Sequence, residues 1–364
     1  MAQQAPTALP TETTPGWRLG FQSLETEHRE AVELEVTGEL PTDLRGTLYR
    51  IGPARHEAGG ERYRHWFDGD GMVHAIHLDG GRAHYRNRFV ATAGRAEEER
   101  AGRRLYAGFG TRPAGDNAVE RFRHAVRRFA KNTANTNIVE IGGRLLALWE
   151  AGHPHRIDPV TLETIGEDDL GGALGRNDWF SAHPKTHPSG DVWNFGIGYG
   201  ARTRARLYRC RTDGSVSREI TVTLPFPSMV HDFALTERHA VFVVAPLTLP
   251  PVPLGMMLGS RSFADSLRWE PRRGNDVPHR ERLGRGRLGR ARRLRLSRRR
   301  LHAHPLPVDD GERHNSRERL AGAAGARGLA ADPAAAPEHD LARVPAGRAL
   351  GRLRRAPPHL RGHR

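Results

Sequence analysis

Residues 181–196, SAHPKTHPSGDVWNFG, place His183 and His187 four residues apart. Two imidazoles at that spacing hold a divalent metal when they share one face of a helix. Here Pro184 and Pro188 follow the histidines directly, and proline removes a backbone donor and blocks the helix. The glutamate of an HExxH motif is missing too. Without a helix the two rings need not share a face, and the ordinary reading of either is a solvated residue of a Pro-rich turn.

Other chemistries are excluded by pattern. Gly196-Ile-Gly198-Tyr-Gly200 lacks the spacing of a dinucleotide loop, and no helical pattern follows it. Asp68-Gly-Asp70-Gly71 opens like a calcium loop but fails at the fifth, sixth and twelfth positions. No Walker loop or nucleophile elbow occurs. Cys210 is the only cysteine, so an intrachain disulfide and a thiolate metal cage are both ruled out.

The elements that must position any site read as short antiparallel strands. Met72–Ala91 alternates on a period of two around Asp79-Gly80-Gly81, and Asn137–Glu150 repeats the device around Gly142-Gly143. Arg206–Leu224 does so around Asp213-Gly214, and His231–Val244 makes a further hairpin. Serial hairpins of this kind build a sandwich, a barrel or a propeller. Residues 118–132 are the one good helical candidate, with apolar Val119, Phe122, Val126 and Phe129 on one side and basic residues opposite. Core packing is the expected use of that stripe, with a membrane surface as the alternative.

The net charge of +15 would suggest a nucleic-acid partner until it is located. Residues 278–364 hold 22 arginines against 8 acidic residues, whereas residues 1–277 are nearly neutral at +1. All 24 aromatic residues lie before residue 270. An arginine-, alanine- and proline-rich tail without aromatics lacks the stacking groups of single-strand binders and cannot bury a core. It matches what a frameshifted reading of a GC-rich gene would produce, and no nucleic-acid partner is expected. Residues 1–16 read as a flexible lead-in without a signal pattern, and no stretch reaches the roughly 18 apolar residues that span a bilayer. The expected location is cytoplasmic, with peripheral membrane contact as an option.

Several stretches in order carry a resemblance. They are residues 38–53 (GELPTDLRGTLYRIGP), 65–74 (HWFDGDGMVH), 85–90 (YRNRFV), 132–166, 182–185 (AHPK) with 193–196 (WNFG), and 229–237 (MVHDFALTE). Over residues 17 to about 270 the chain resembles the carotenoid cleavage oxygenases, iron(II) dioxygenases of the same family as the vertebrate retinoid isomerohydrolase. The resemblance implies an all-β fold, a seven-bladed β-propeller capped by helices and loops, expected to be incomplete in this chain. It implies iron(II) held by four histidines on the propeller axis, with a lipophilic polyene and dioxygen as substrates. The bond cleaved would be a conjugated C=C of a carotenoid, apocarotenoid or stilbene, giving carbonyl products.

By motif, the resemblance makes His183 the first metal ligand and His231 the second, 48 residues on, about one propeller blade. His187 matches nothing in the family pattern. Glu150 matches a carboxylate that hydrogen-bonds a ligand imidazole and fixes its tautomer. Thr136 matches a position near the open side of the metal. His304, in LHAHPLPVDDGER, is the candidate third ligand, and no residue convincingly matches the fourth. The apolar, Pro-rich residues 246–263 would lie near the substrate entrance, where they or residues 118–132 could touch a membrane. Two alternatives stand beside this reading: an inactive, frame-damaged member of the family, and a propeller-like binding protein with a basic nucleic-acid-binding tail.

Overall fold

The computed structural model describes residues 20–127, 130–200, 202–250 and 252–273, with the strand backbones of Asp276–His279 and Arg292–Arg295. His304 and most of the arginine-rich tail lie outside the described residues, as does the lead-in.

Among the described residues, four four-stranded antiparallel sheets follow one another along the chain. The first contains β1 (Val32–Glu33), β2 (Gly46–Arg55), β5 (Asp70–Asp79) and β6 (Arg82–Phe89), in the order β1-β6-β5-β2. The short β3 (Glu57–Ala58) and β4 (Glu61–Arg62) form a separate hairpin. The second sheet is a meander of β7 (Asn137–Ile141), β8 (Arg144–Leu148), β9 (His155–Ile157) and β10 (Thr164–Glu167). The third repeats it with β11 (Lys185–Thr186), β12 (Val192–Gly198), β13 (Arg204–Cys210) and β14 (Val216–Thr223). The fourth orders β15 (Phe233–Leu235), β16 (Ala240–Phe242), β19 (Asp276–His279) and β20 (Arg292–Arg295), while β17 (Leu247–Thr248) pairs β18 (Arg268–Trp269).

Local chemistry closes the hairpins. Gly80 and Gly81 sit at φ 58° and 82°, and Gly142 and Gly143 at 57° and 75°. Two successive left-handed residues make the tight turn whose twist matches a β-hairpin, and only glycine enters it without strain. All four expected hairpins are present.

The cores lie between successive sheets, and this explains the sequence pattern of β8. Leu145 and Ala147 pack toward Val73 and Ala75 of the first sheet. Leu146 and Leu148 point the other way, toward Tyr208 and Cys210 of the third and toward Phe180, which precedes it. A strand buried on both faces reads as a continuous apolar run. Trp193, Phe195 and Ile197 of β12 then pack on Phe233 and Phe242 of the fourth sheet. Burial pushes the Cys210 thiol up to about 12, so it behaves as an inert core residue.

Among the described residues the α-helices are few: α1 (Ala93–Ala101), α2 (Ala118–Arg127) and the single turns α3 (Leu254–Met257) and α4 (Phe263–Ser266). Helix α2 corrects the expectation of core packing. Val119, Phe122 and Val126 are 67%, 47% and 63% exposed, while His124 and Ala125 are buried. The helix is described as far as Arg127, and it does not reach residue 132: Ala130 is no longer helical, and Lys131 and Asn132 are drawn into other contacts. Phe129 lies outside the described residues.

Candidate metal centre

Two edge strands deliver the histidines in the same way. β11 and β15 each begin two residues after a histidine, His183 and His231, and the two strands lie against each other. The approach to β11 is held by two side-chain amides. Asn194 donates to the Ser181 carbonyl at 2.6 Å, and Asn137 of β7 donates to the Ala182 carbonyl at 2.8 Å. Lys185 ties the two histidine segments together, its Nζ 2.9 Å from Oδ1 of Asp232.

Glu150 comes from the neighbouring sheet, two residues past the end of β8. The turn that carries it is pinned by Asn132, whose amide donates to the His153 carbonyl at 2.8 Å and packs over Gly152. Its Oε1 lies 3.1 Å from Nε2 of His183 and 3.4 Å from Nδ1 of His231. The two rings stand 4.3 Å apart between centroids at 63°. Glu150, His183 and His231 thus offer one donor atom each, all within 4.8 Å of one another.

The three donors fit a cation. Glu150 Oε1 and His183 Nε2 are shut off from solvent and have no hydrogen bond of good geometry. A carboxylate oxygen and an imidazole nitrogen this close repel through their lone pairs unless a proton or a cation stands with them. In the metal-free chain the protonated imidazole is favoured: Glu150 holds the His183 imidazole above its ordinary value, against the burial that lowers it. A divalent cation satisfies the same atoms without the proton, and imidazole with carboxylate is a donor set that transition metals accept.

Thr136 lines a cavity that reaches Glu150 and His231. Its Oγ1 donates to Oδ1 of Asn135 at 3.0 Å, and the Asn135 amide is fixed on the carbonyls of Phe67 and Gly69. This stretch presses on the start of β5, where a Cβ on Gly71 would stand 2.1 Å from the Ala134 carbonyl oxygen. The remaining walls are largely apolar, with Trp149, Trp179, Phe195, Tyr199 and Phe109 among them.

The acidic stretch at residues 68–71 serves this cavity structurally. The buried Asp68 accepts from the backbone of Phe109 and Gly110 and from the Thr111 hydroxyl, which fixes a wall loop, and burial holds its carboxyl above the usual range. Asp70 instead pairs with Lys131 at 2.8 Å, and Lys131 also reaches Glu98 at 2.9 Å and the Tyr63 hydroxyl at 2.6 Å. The wall loop is clasped to α4: Ala264 N–H donates to the Phe109 carbonyl at 2.8 Å, and Arg112 pairs with Asp265 at 3.0 Å.

The structure therefore brings together His183, His231 and Glu150, with Thr136 on the adjoining cavity. His187 is a turn residue, its ring nitrogens on the Ser189 hydroxyl and the Glu237 carbonyl. The wall residues Asn135, Trp149, Trp179 and Tyr199 carry no spacing signal by which sequence reasoning would have singled them out. No helix of the described residues is long and apolar enough to cross a membrane.

Comparison with known proteins gives the family. A family model described as retinal pigment epithelial membrane protein matches residues 21–280. Apocarotenoid-15,15'-oxygenase of Synechocystis sp. is 39% identical over 283 residues, which is 74% of this chain and 56% of the relative. Resveratrol cleavage oxygenase 1 of Aspergillus fumigatus is 36% identical over 219 residues, 59% of this chain and 42% of the relative. The crystal structure of a cobalt-substituted Synechocystis apocarotenoid oxygenase superposes with a TM-score of 0.69 at 37% identity, covering 77% of this chain and 58% of that one. The chain thus spans about half the length of the relatives it matches. With the family match extending from the first sheet into the fourth, the chain belongs to the retinal pigment epithelial membrane protein family, that of the carotenoid cleavage oxygenases.

Proposed function

We propose that this chain belongs to an iron(II)-dependent dioxygenase that cleaves a conjugated C=C bond of an apocarotenoid, carotenoid or stilbene. The observation that carries the reading is the opening of an apolar, aromatic-walled cavity onto Glu150 and His231, with His183 beside them. His183 and His231 would hold the iron, as two of the four histidine ligands of a seven-bladed propeller, and Glu150 would hold or orient them. When bound, the iron supplies activation of dioxygen, and one oxygen atom passes to each carbon of the broken bond to give two carbonyl fragments.

The chain's own residues supply the rest. Trp149, Trp179 and Phe195 exclude water and hold a flat polyene by its faces. With the cation bound, Glu150 would offset its charge and hold the imidazoles of His183 and His231 in place, the proton that its carboxylate favours on His183 having left. Thr136, tethered to Asn135, limits the space on the side where the cavity meets the donors.

The cavity also explains the outward apolar stripe of α2. Phe122 and Val126 of α2 and Leu254 and Met257 of α3 are exposed, and α2 packs beside α3, whose Met256 lines the cavity. An apolar patch beside the cavity suits collection of a lipid-soluble substrate from a bilayer surface. An apolar cavity joined to a histidine–carboxylate cluster favours the oxygenase over a binding protein with a nucleic-acid tail.

The test is direct. The purified full chain is loaded with iron(II) under exclusion of oxygen and then exposed to labelled dioxygen with an apocarotenal or a hydroxylated stilbene. Two carbonyl products carrying the label are expected, and they should vanish in His183→Ala. Iron binding without any cleavage of either substrate class would overturn the proposal.

A further inference from the structure

Three residues lining the cavity carry a carboxylate, an imidazole or a guanidinium: Glu150, His231 and Arg261. The first two belong to the metal centre. Arg261 has no part in it and no other evident task. Its guanidinium has no hydrogen-bond or ion-pair partner among the described residues, although an acid lies four residues away. That acid, Asp265, is taken by Arg112 at 3.0 Å and by the backbone N–H of Ser262 at 3.1 Å.

The backbone beneath Arg261 is fixed. Its N–H donates to the Gly255 carbonyl at 3.0 Å, and its stem covers Gly255, where an added Cβ would stand 2.9 Å from Cδ. Arg261 is exposed and also lines the cavity, so it stands where the cavity meets solvent. A guanidinium offers five N–H donors in a planar fork that matches a carboxylate, and the apolar walls beside it offer nothing to satisfy them.

We propose that Arg261 is a specificity-determining residue that binds an anionic end group of the substrate, so that the favoured class is a polyene carboxylic acid. This rests on the oxygenase reading above and adds to it the end group and the direction of entry. The hydrocarbon part lies along Trp149 and Trp179, and the carboxylate stays at the mouth, so the length of chain between end group and metal selects the bond that is presented. Because the guanidinium is solvated, the preference it confers is modest, about three- to tenfold.

Binding can be read without metal, since a bound polyene will quench the fluorescence of Trp149 and Trp179 in its walls. The full chain is titrated with a polyene carboxylic acid and with its methyl ester. The acid should bind about three- to tenfold more tightly than the ester. Arg261→Gln should abolish that difference while leaving the ester unchanged, Arg261→Lys should keep part of it, and Arg261→Glu should reverse it. Equal binding of acid and ester by the unaltered chain, or equal weakening of both by Arg261→Gln, overturns the inference and leaves the oxygenase reading intact. Titration with anionic and neutral vesicles separates the other source of the same chemistry. If Arg261→Gln lowers only the binding of anionic vesicles, the guanidinium serves a lipid headgroup and the inference fails. Absence of quenching by acid and ester alike, together with absence of cleavage, would sink both readings.

Discussion

Lys185 and Asp232 form an ion pair, Nζ to Oδ1 at 2.9 Å, that joins the two strands whose preceding residues include His183 and His231. Each member of the pair lies within two residues of one histidine. The pair therefore acts on the separation of the two rings, and through it on the space between their nitrogens and Glu150.

Breaking that pair should loosen the metal centre without unfolding the chain. Lys185→Met and Asp232→Asn are each expected to weaken divalent-metal binding by about two- to fivefold, since a partly exposed pair is worth at most about 1 kcal/mol. Competition with a coloured chelator measures it. An unchanged affinity in both variants would show that the ring separation is set elsewhere.

Glu150→Gln removes the negative charge shared by both rings. Metal affinity should fall by about 10- to 100-fold, the usual range for partners that orient a metal ligand. The His183 imidazole should also return toward its ordinary value, because Glu150 is the largest cause of its upward shift. Metal titration by calorimetry and proton titration by nuclear magnetic resonance give the two readouts separately.

The same shift predicts a pH dependence. His183 has a folded pKa above its unfolded value, so the stability it contributes to the metal-free chain is fully present below the ordinary imidazole value of 6.5. It is lost as pH rises through the raised folded value. A metal ion competes with the proton for the His183 nitrogen, so affinity should rise over the same interval. Thermal melts of the metal-free chain across that range should show the loss, and Glu150→Gln should flatten it.

Lys131 is 3% exposed and compensates two buried carboxylates, Asp70 and Glu98. Lys131→Met leaves them without a cation and should cost about 3–5 kcal/mol. Denaturant unfolding measures the loss directly. A neutral result would mean that one carboxyl simply takes up a proton and that the network contributes little.

Gly71→Ala should perturb the cavity from a distance. The new Cβ meets the Ala134 carbonyl at 2.1 Å, a backbone atom that can yield only by shifting Asn135 and Thr136. A destabilisation of about 1–3 kcal/mol is expected, with weaker polyene binding by tryptophan quenching. Thr136→Ala should weaken binding without that loss of stability.

Much of this architecture was legible in the chain because it is locally encoded. Period-two alternation around Gly80-Gly81 and Gly142-Gly143 specifies hairpins whatever surrounds them, since both glycines of each turn take left-handed angles. The resemblance of AHPK and MVHDF to family motifs pointed to His183 and His231, and two prolines removed His187 from consideration. What local pattern could not contain was decided by packing between segments far apart in the chain. The apolar stripe of α2 looked like a core face, yet the sheets fill their cores with one another's side chains and leave Val119, Phe122 and Val126 outside. The approach of Glu150 to two imidazoles from successive sheets depends on how those sheets stack, which no single stretch records. Arg261 is one arginine among many in the sequence, and it is singled out only because the structure gives the neighbouring acid to Arg112 and turns the cavity mouth toward it. Strand and turn follow from short-range sterics and hydrogen bonding, whereas the site follows from which buried surfaces meet, and that is a property of the whole packed chain.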